Sequence, residues 1–130
     1  MGPLSILLDT HVFVWALTDS PDLRTSTRKL IAGAENRFVS AVSYWEIATK
    51  SRLGKWPRVD ACILSRRRLV ELGFTPLGLD MRSAARAGSY DWAHHDPFDR
   101  MLVAQAERKK LPLVSYDAAI AKQDWAHVVR

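Results

Sequence analysis

Apolar residues in this chain fall into two rhythms. Short runs at Leu4-Ser5-Ile6-Leu7-Leu8, Arg37-Phe38-Val39-Ser40, Phe74-Thr75-Pro76-Leu77 and Leu111-Pro112-Leu113-Val114-Ser115 have the length and content of buried strands. Trp125 to Val129 is a candidate last edge strand. Between the runs lie longer stretches with helical punctuation. Val12, Val14, Trp15 and Leu17 suit a short helix; Asp19-Ser20-Pro21-Asp22 breaks it and starts another, through Arg24 to about Ala34. Ser40 can cap a helix from Ala41 to about Leu53, ended by Gly54 and Pro57. Asp60 to Leu72, closed by Gly73, and Asp80 to Ala87, closed by Gly88, read as two more. A loop from Ser89 to His95 leads into a helix from about Asp96 to Lys109, and Asp117 to Ala121 makes a helical turn. Alternating strands and helices predict an α/β layer fold with a mostly parallel sheet of four to five strands. A length of 130 residues suits one domain, residues 1–130.

Composition narrows the setting. The chain is 48% hydrophobic, enough for a real core. Its net charge of +5 favours an anionic partner such as nucleic acid, although solubility alone accounts for it equally well. Cys62 is the only cysteine, which excludes an internal disulfide and a cysteine-held zinc and fits a reducing compartment. The start has no basic segment followed by a long apolar run, and no stretch has the length of a membrane span. A cytoplasmic protein with no membrane partner is the expectation.

Chemistry enters with the acids. In open α/β sheets the working site lies at the carboxyl ends of the strands. Asp9 directly follows the first strand and Asp117 lies just past the fourth; Glu46 is nearly two turns into the helix after the second, and Asp99 is in the first turn of the helix from Asp96. Each has an ordinary structural reading. Asp9 and Asp117 can cap helices, and Glu46 has the favoured i, i+4 order with Lys50 for a surface ion pair. In "HHDPFDR", Asp96 suits an N-cap, Pro97 the first helical position, and Asp99 the third, where a carboxylate can reach back to the cap N–H. Together the four acids have a different meaning. If they converge, they repel one another and hold raised pKa values, a cost that a divalent cation such as Mg²⁺ or Mn²⁺ removes. The natural chemistry of such a centre is in-line attack on a phosphodiester. His94 and His95 are adjacent, so they point apart; a place beside substrate or at the surface suits them better than zinc.

The segments "ILLDTHVFVW", "VSAVSYWEIATKSRLGK", "HHDPFDRMLVAQA" and "LVSYDAAI", in this order, resemble the PIN-domain ribonucleases, and among them the VapC toxins of toxin–antitoxin pairs. The resemblance runs from about Leu7 to the C-terminus. It implies a three-layer α/β/α PIN fold with a mostly parallel central sheet and an acid cluster binding Mg²⁺ or Mn²⁺. The family's four acids match Asp9, Glu46, Asp99 and Asp117, with Ser115 preceding the last. Asp96, Thr10 and Ser115 are additional candidates, Asp96 chiefly as a cap. It also implies endonucleolytic cleavage of RNA, inhibition by a VapB-like antitoxin, and a homodimer.

Lys50, Arg52, Lys55 and Arg58 leave the Glu46 helix as a basic stretch that could hold flanking phosphates. Trp56 among them could stack on a base, although a core or interface aromatic is its ordinary reading. Arg66-Arg67-Arg68 reads as a solvated face. Trp15 and Trp45, beside the proposed acids, suggest that an antitoxin buries an apolar segment on the first helices. The competing reading is a catalytically silent RNA- or antitoxin-binding module on the same scaffold, which gives no reason for four acids at strand ends. A phosphoacceptor domain fits less well, because Asp9 lacks an acidic neighbour and the fourth strand lacks a following lysine.

Overall fold

The computed structural model describes residues 4–56, 65–122 and 128–129. The strands are β1 (Ile6–Leu8), β2 (Arg37–Ser40), β3 (Thr75–Leu77), β4 (Leu113–Val114) and β5 (Val128–Val129). They form one sheet in the order β3-β2-β1-β4-β5. All four pairings are parallel, with Leu7 beside both Phe38 and Leu113. β1 lies in the middle and is wholly buried, as its unbroken apolar run requires. Pro76 sits on edge strand β3, where its missing N–H leaves no ladder bond unmade toward a further strand.

The helices are α1 (Thr10–Thr18), α2 (Thr25–Gly33), α3 (Ala41–Arg52), α4 (Arg66–Glu71), α5 (Met81–Ser89), α6 (Pro97–Lys109) and α7 (Ala118–Ala121). Successive side chains of β1 point to opposite faces and divide the core in two. Ile6 and Leu8 pack with Val12 and Phe13 of α1, Ile31 of α2, Ile47 of α3 and Leu69 of α4. Leu7 packs with Leu102, Val103 and Ala106 of α6 and Ile120 of α7. The result is the three-layer α/β/α arrangement with an all-parallel sheet.

Local punctuation follows the expected residues in most places. Gly54 and Gly73 end α3 and α4 with φ of +70° and +91°, a region that costs other residues dearly. Gly88 does not close α5: the helix runs on to Ser89, and its cap is Tyr90, whose ψ of 128° leaves the helical region. A glycine in a last turn costs only its modest helix propensity, and α5 stops where the Tyr90 loop begins. Residues 57–64, including Arg58, Cys62 and the start of the helix expected from Asp60, lie outside the described residues, as do Trp125 to His127. Among the described residues no helix is long and apolar enough to cross a membrane.

Candidate active site

In sequence β1 is followed first by β2 on one side and later by β4 on the other, so the crevice between the ends of β1 and β4 is a topological switch point. Asp9 and Asp117 flank it. Asp9 is 4% exposed. It caps α1 by accepting the His11 N–H at 2.7 Å, and its other oxygen accepts the Ser115 hydroxyl at 2.6 Å. The Ser115 oxygen in turn accepts the Asp117 N–H at 3.1 Å. One buried serine therefore ties both acids together. Asp117 caps α7 through Ala119 and Ile120. The capping roles foreseen for Asp9 and Asp117 thus coexist with a place in the cluster.

Asp96 also caps as foreseen, accepting the N–H groups of Phe98 and Asp99 at 2.9 and 3.1 Å. Asp99 turns elsewhere. Its carboxylate meets His94 Nε2 at 2.8 Å. Ligand atoms of His94, Asp99 and Asp117 all lie within 4.8 Å of one another. Burial raises the Asp99 pKa to about 7, and the charges of Asp96, Asp9 and Asp117 add to the rise against the lowering effect of His94. Burial likewise raises that of Asp9, with Glu46's charge contributing and the Ser115 and His11 hydrogen bonds opposing. These charges crowd a poorly solvated space, the condition a divalent cation relieves.

Glu46 is 2% exposed, and its Oε2 is 2.6 Å from Lys50 Nζ. The ion pair with Lys50 is present but buried on the Glu46 side rather than at the surface. The Glu46 charge bears on Asp9, but Glu46 is outside the compact His94–Asp99–Asp117 group. Thr10 is buried with its hydroxyl 2.8 Å from that of Ser43, so it fastens α1 to α3. Lys50 also lies 4.6 Å over the ring of Trp56, while Arg52 and Lys55 are exposed. His11 meets Trp56 edge-on at 5.0 Å and Trp15 at 5.9 Å, which makes an aromatic rim beside Asp9.

A PIN domain family model matches residues 6–126. The chain belongs to the PIN domain family. No curated protein matches it by sequence. Its PIN fold is shared with solved structures of low identity. A chain of the VapBC2 complex from Rickettsia felis, bound to a DNA fragment from its promoter, is 13% identical with a TM-score of 0.68, covering 97% of this chain and 98% of that one. A toxin–antitoxin complex from Klebsiella pneumoniae gives 17% and 0.63, and a DNA-bound VapBC from Salmonella typhimurium 15% and 0.63, each covering 97% of both chains.

His94, expected beside substrate or at the surface, and Arg100, which sequence reasoning passed over, are both tied into this part of the PIN domain. His94 is half-buried on Asp99, while its neighbour His95 is exposed. Arg100 spends its guanidinium on four carbonyls: Ala87, Tyr90, Trp92 and His94. It fixes the loop that carries His94 from the residue next to Asp99. The visible signal was its place in "DPFDR", but the bonds depend on a loop path that no local pattern encodes.

Proposed function

We propose that this chain acts as one PIN domain over residues 1–130 and is an endoribonuclease toxin of the VapC type, held inactive by a VapB-like antitoxin. The observation that carries the reading is the convergence of Asp99, Asp117 and His94 within 4.8 Å, with Asp9 joined to Asp117 through Ser115. Asp9, Glu46, Asp99 and Asp117 would hold Mg²⁺ or Mn²⁺, which when bound acidifies a water for attack on a phosphodiester and stabilises the leaving oxygen. Ser115 keeps Asp9 and Asp117 at a set separation. Asp96 fixes the first turn of α6 so that the Asp99 carboxylate faces the crevice. Lys50 keeps the buried Glu46 charge compensated.

The exposed Arg52 and Lys55 support phosphate contacts to RNA, and Arg58 is given the same role by its place in sequence. The His11–Trp56 rim supports stacking of an unpaired base. Trp45, 55% exposed and edge-on to Phe98 at 4.8 Å, is a better antitoxin anchor than Trp15, which packs on Tyr116 at 5.4 Å. The neighbours drawn from toxin–antitoxin complexes support that partner; the same reading carries a homodimer and a cytoplasmic setting.

The test compares wild type with Asp99→Asn on total bacterial RNA, with Mg²⁺ and with EDTA. Discrete fragments from wild type with metal alone are expected. Equal fragments from both proteins would remove Asp99 from the centre. RNA binding without fragments from either, at any metal concentration, would favour the silent module.

A further inference from the structure

We infer that His94 is itself a metal ligand, so that the centre is a mixed nitrogen–oxygen site rather than an all-carboxylate one; this rests on the nuclease reading above. Three observations on this chain support it. The first is spacing. His94 Nε2 lies 2.8 Å from Asp99 Oδ2, close to the separation of about 3 Å between neighbouring ligands on one ion with bonds of about 2.1 Å. Asp117 offers a further oxygen within 4.8 Å of both. The second is preorganisation. The His94 carbonyl accepts from Arg100 at 3.0 Å, and the imidazole packs on the Trp92 ring at a centroid distance of 4.7 Å. Trp92 is in turn held by Arg100 at its carbonyl, 2.7 Å away. The backbone and the ring of His94 are thus both held independently of any ion. The third is economy of charge. A neutral imidazole adds a ligand without adding another negative charge to a space that already gathers Asp9, Asp96, Asp99 and Asp117.

A nitrogen donor has a consequence that four carboxylates lack. Imidazole binds first-row transition ions better than it binds Mg²⁺. The site therefore ranks Mn²⁺ and Co²⁺ above Mg²⁺ by more than an oxygen-only cluster does, and removing His94 narrows that gap. Arg100 is a positioning residue for the same ligand.

The experiment is pulsed EPR of Mn²⁺ bound to the full chain, with no activity readout. Wild type should show a directly bound histidine nitrogen, whose signature changes when all histidines carry ¹⁵N; this arm needs no substitution. His94→Gln should still bind Mn²⁺, at least about tenfold more weakly, and lose the nitrogen signal. His11→Gln should keep it, although His11 Nδ1 is 4.0 Å from Asp9. Arg100→Lys should retain the ion but weaken the nitrogen signal, since lysine cannot span four carbonyls. Mn²⁺ bound by wild type without a histidine nitrogen would overturn this inference and leave the nuclease reading standing. So would a signal that survives His94→Gln. No Mn²⁺ binding to wild type at all would overturn both.

Discussion

Two buried polar clusters sit along the carboxyl edge of the sheet, and they are built on opposite principles. At the ends of β2 and β3, Ser40 donates to Gln105 Oε1 at 2.6 Å, Gln105 donates to the Gly78 carbonyl at 3.1 Å, and the Ser40 oxygen accepts the Val42 N–H. That cluster is neutral, and its groups satisfy one another. At the ends of β1 and β4, Asp9, Asp99 and Asp117 crowd like charges, and burial holds two of them above the ordinary carboxylate range. The first cluster needs nothing from outside. The second is costly as it stands, a cost that a bound cation would relieve, and such costs collect where function does.

Breaking the charged cluster should therefore cost activity, and breaking the neutral one should cost stability. Asp99→Asn should lower RNA cleavage by about a hundredfold or more, as loss of a main transition-state stabiliser does, without lowering the melting temperature of the metal-free protein. Gln105→Ala should do the reverse. It strands the buried Ser40 hydroxyl and empties a position that is 1% exposed, and should cost about 2–4 kcal/mol in urea unfolding once the cavity is included. Cleavage per folded molecule should hardly change. If Gln105→Ala abolished cleavage in a folded protein, the division between the clusters would fail.

The contrast also has a pH signature. Asp99 has a folded pKa of about 7 against an ordinary 3.8, so the folded state keeps a proton that the unfolded state releases. Stability of the metal-free protein should then fall as pH rises between about 4 and 7, and stay low above that. The expected drop in melting temperature is about 5 °C or more for a chain of this size. Added Mn²⁺ at pH 8 should reverse it, and Asp99→Asn should flatten the metal-free slope. A melting temperature that climbs steadily from pH 4 to 7 in the metal-free wild type, and not in the variant, would show that the Asp99 charge is stabilising instead.

The same contrast marks what could be seen in the sequence. The sheet was legible because buried strands such as Ile6-Leu7-Leu8 are unbroken apolar runs, and the helix starts because Ser40 and Asp96 are strong caps. The places of Asp9 and Asp117 were legible because topology puts residues after strands at one edge. Less visible was everything that depends on where loops travel. Asp99 could have bonded its own cap N–H; it meets His94 instead because Arg100 pulls the 90–94 backbone across the start of α6. The Glu46–Lys50 spacing was plain, but not the burial of the carboxylate, which depends on how α3 packs, with Ile47 in one core cluster and Val42 in the other. Gly88 misled because glycine marks helix ends only on average, and here the turn is made two residues later.

The smallest expected effects lie outside both clusters, among basic residues that the fold sorts into two kinds. Lys50 is committed, paired to a buried carboxylate and seated over Trp56, whereas Lys55 is exposed. Lys55→Gln should weaken RNA binding a few-fold at low salt and reduce the slope of log affinity against log salt by about 0.7, the value for one phosphate contact on a single strand. It should leave metal affinity unchanged. Lys50→Gln should behave differently, because it leaves Glu46 buried without its counter-charge. Metal affinity should then rise as the freed carboxylate takes a cation in place of the lysine, even as RNA binding weakens. Binding titrations of Mn²⁺ and of a fluorescent single-stranded RNA separate the two cases. Equal losses of RNA affinity with no change in metal binding for either variant would mean that Lys50 is an ordinary phosphate contact and that its bond to Glu46 does not compete with the ion.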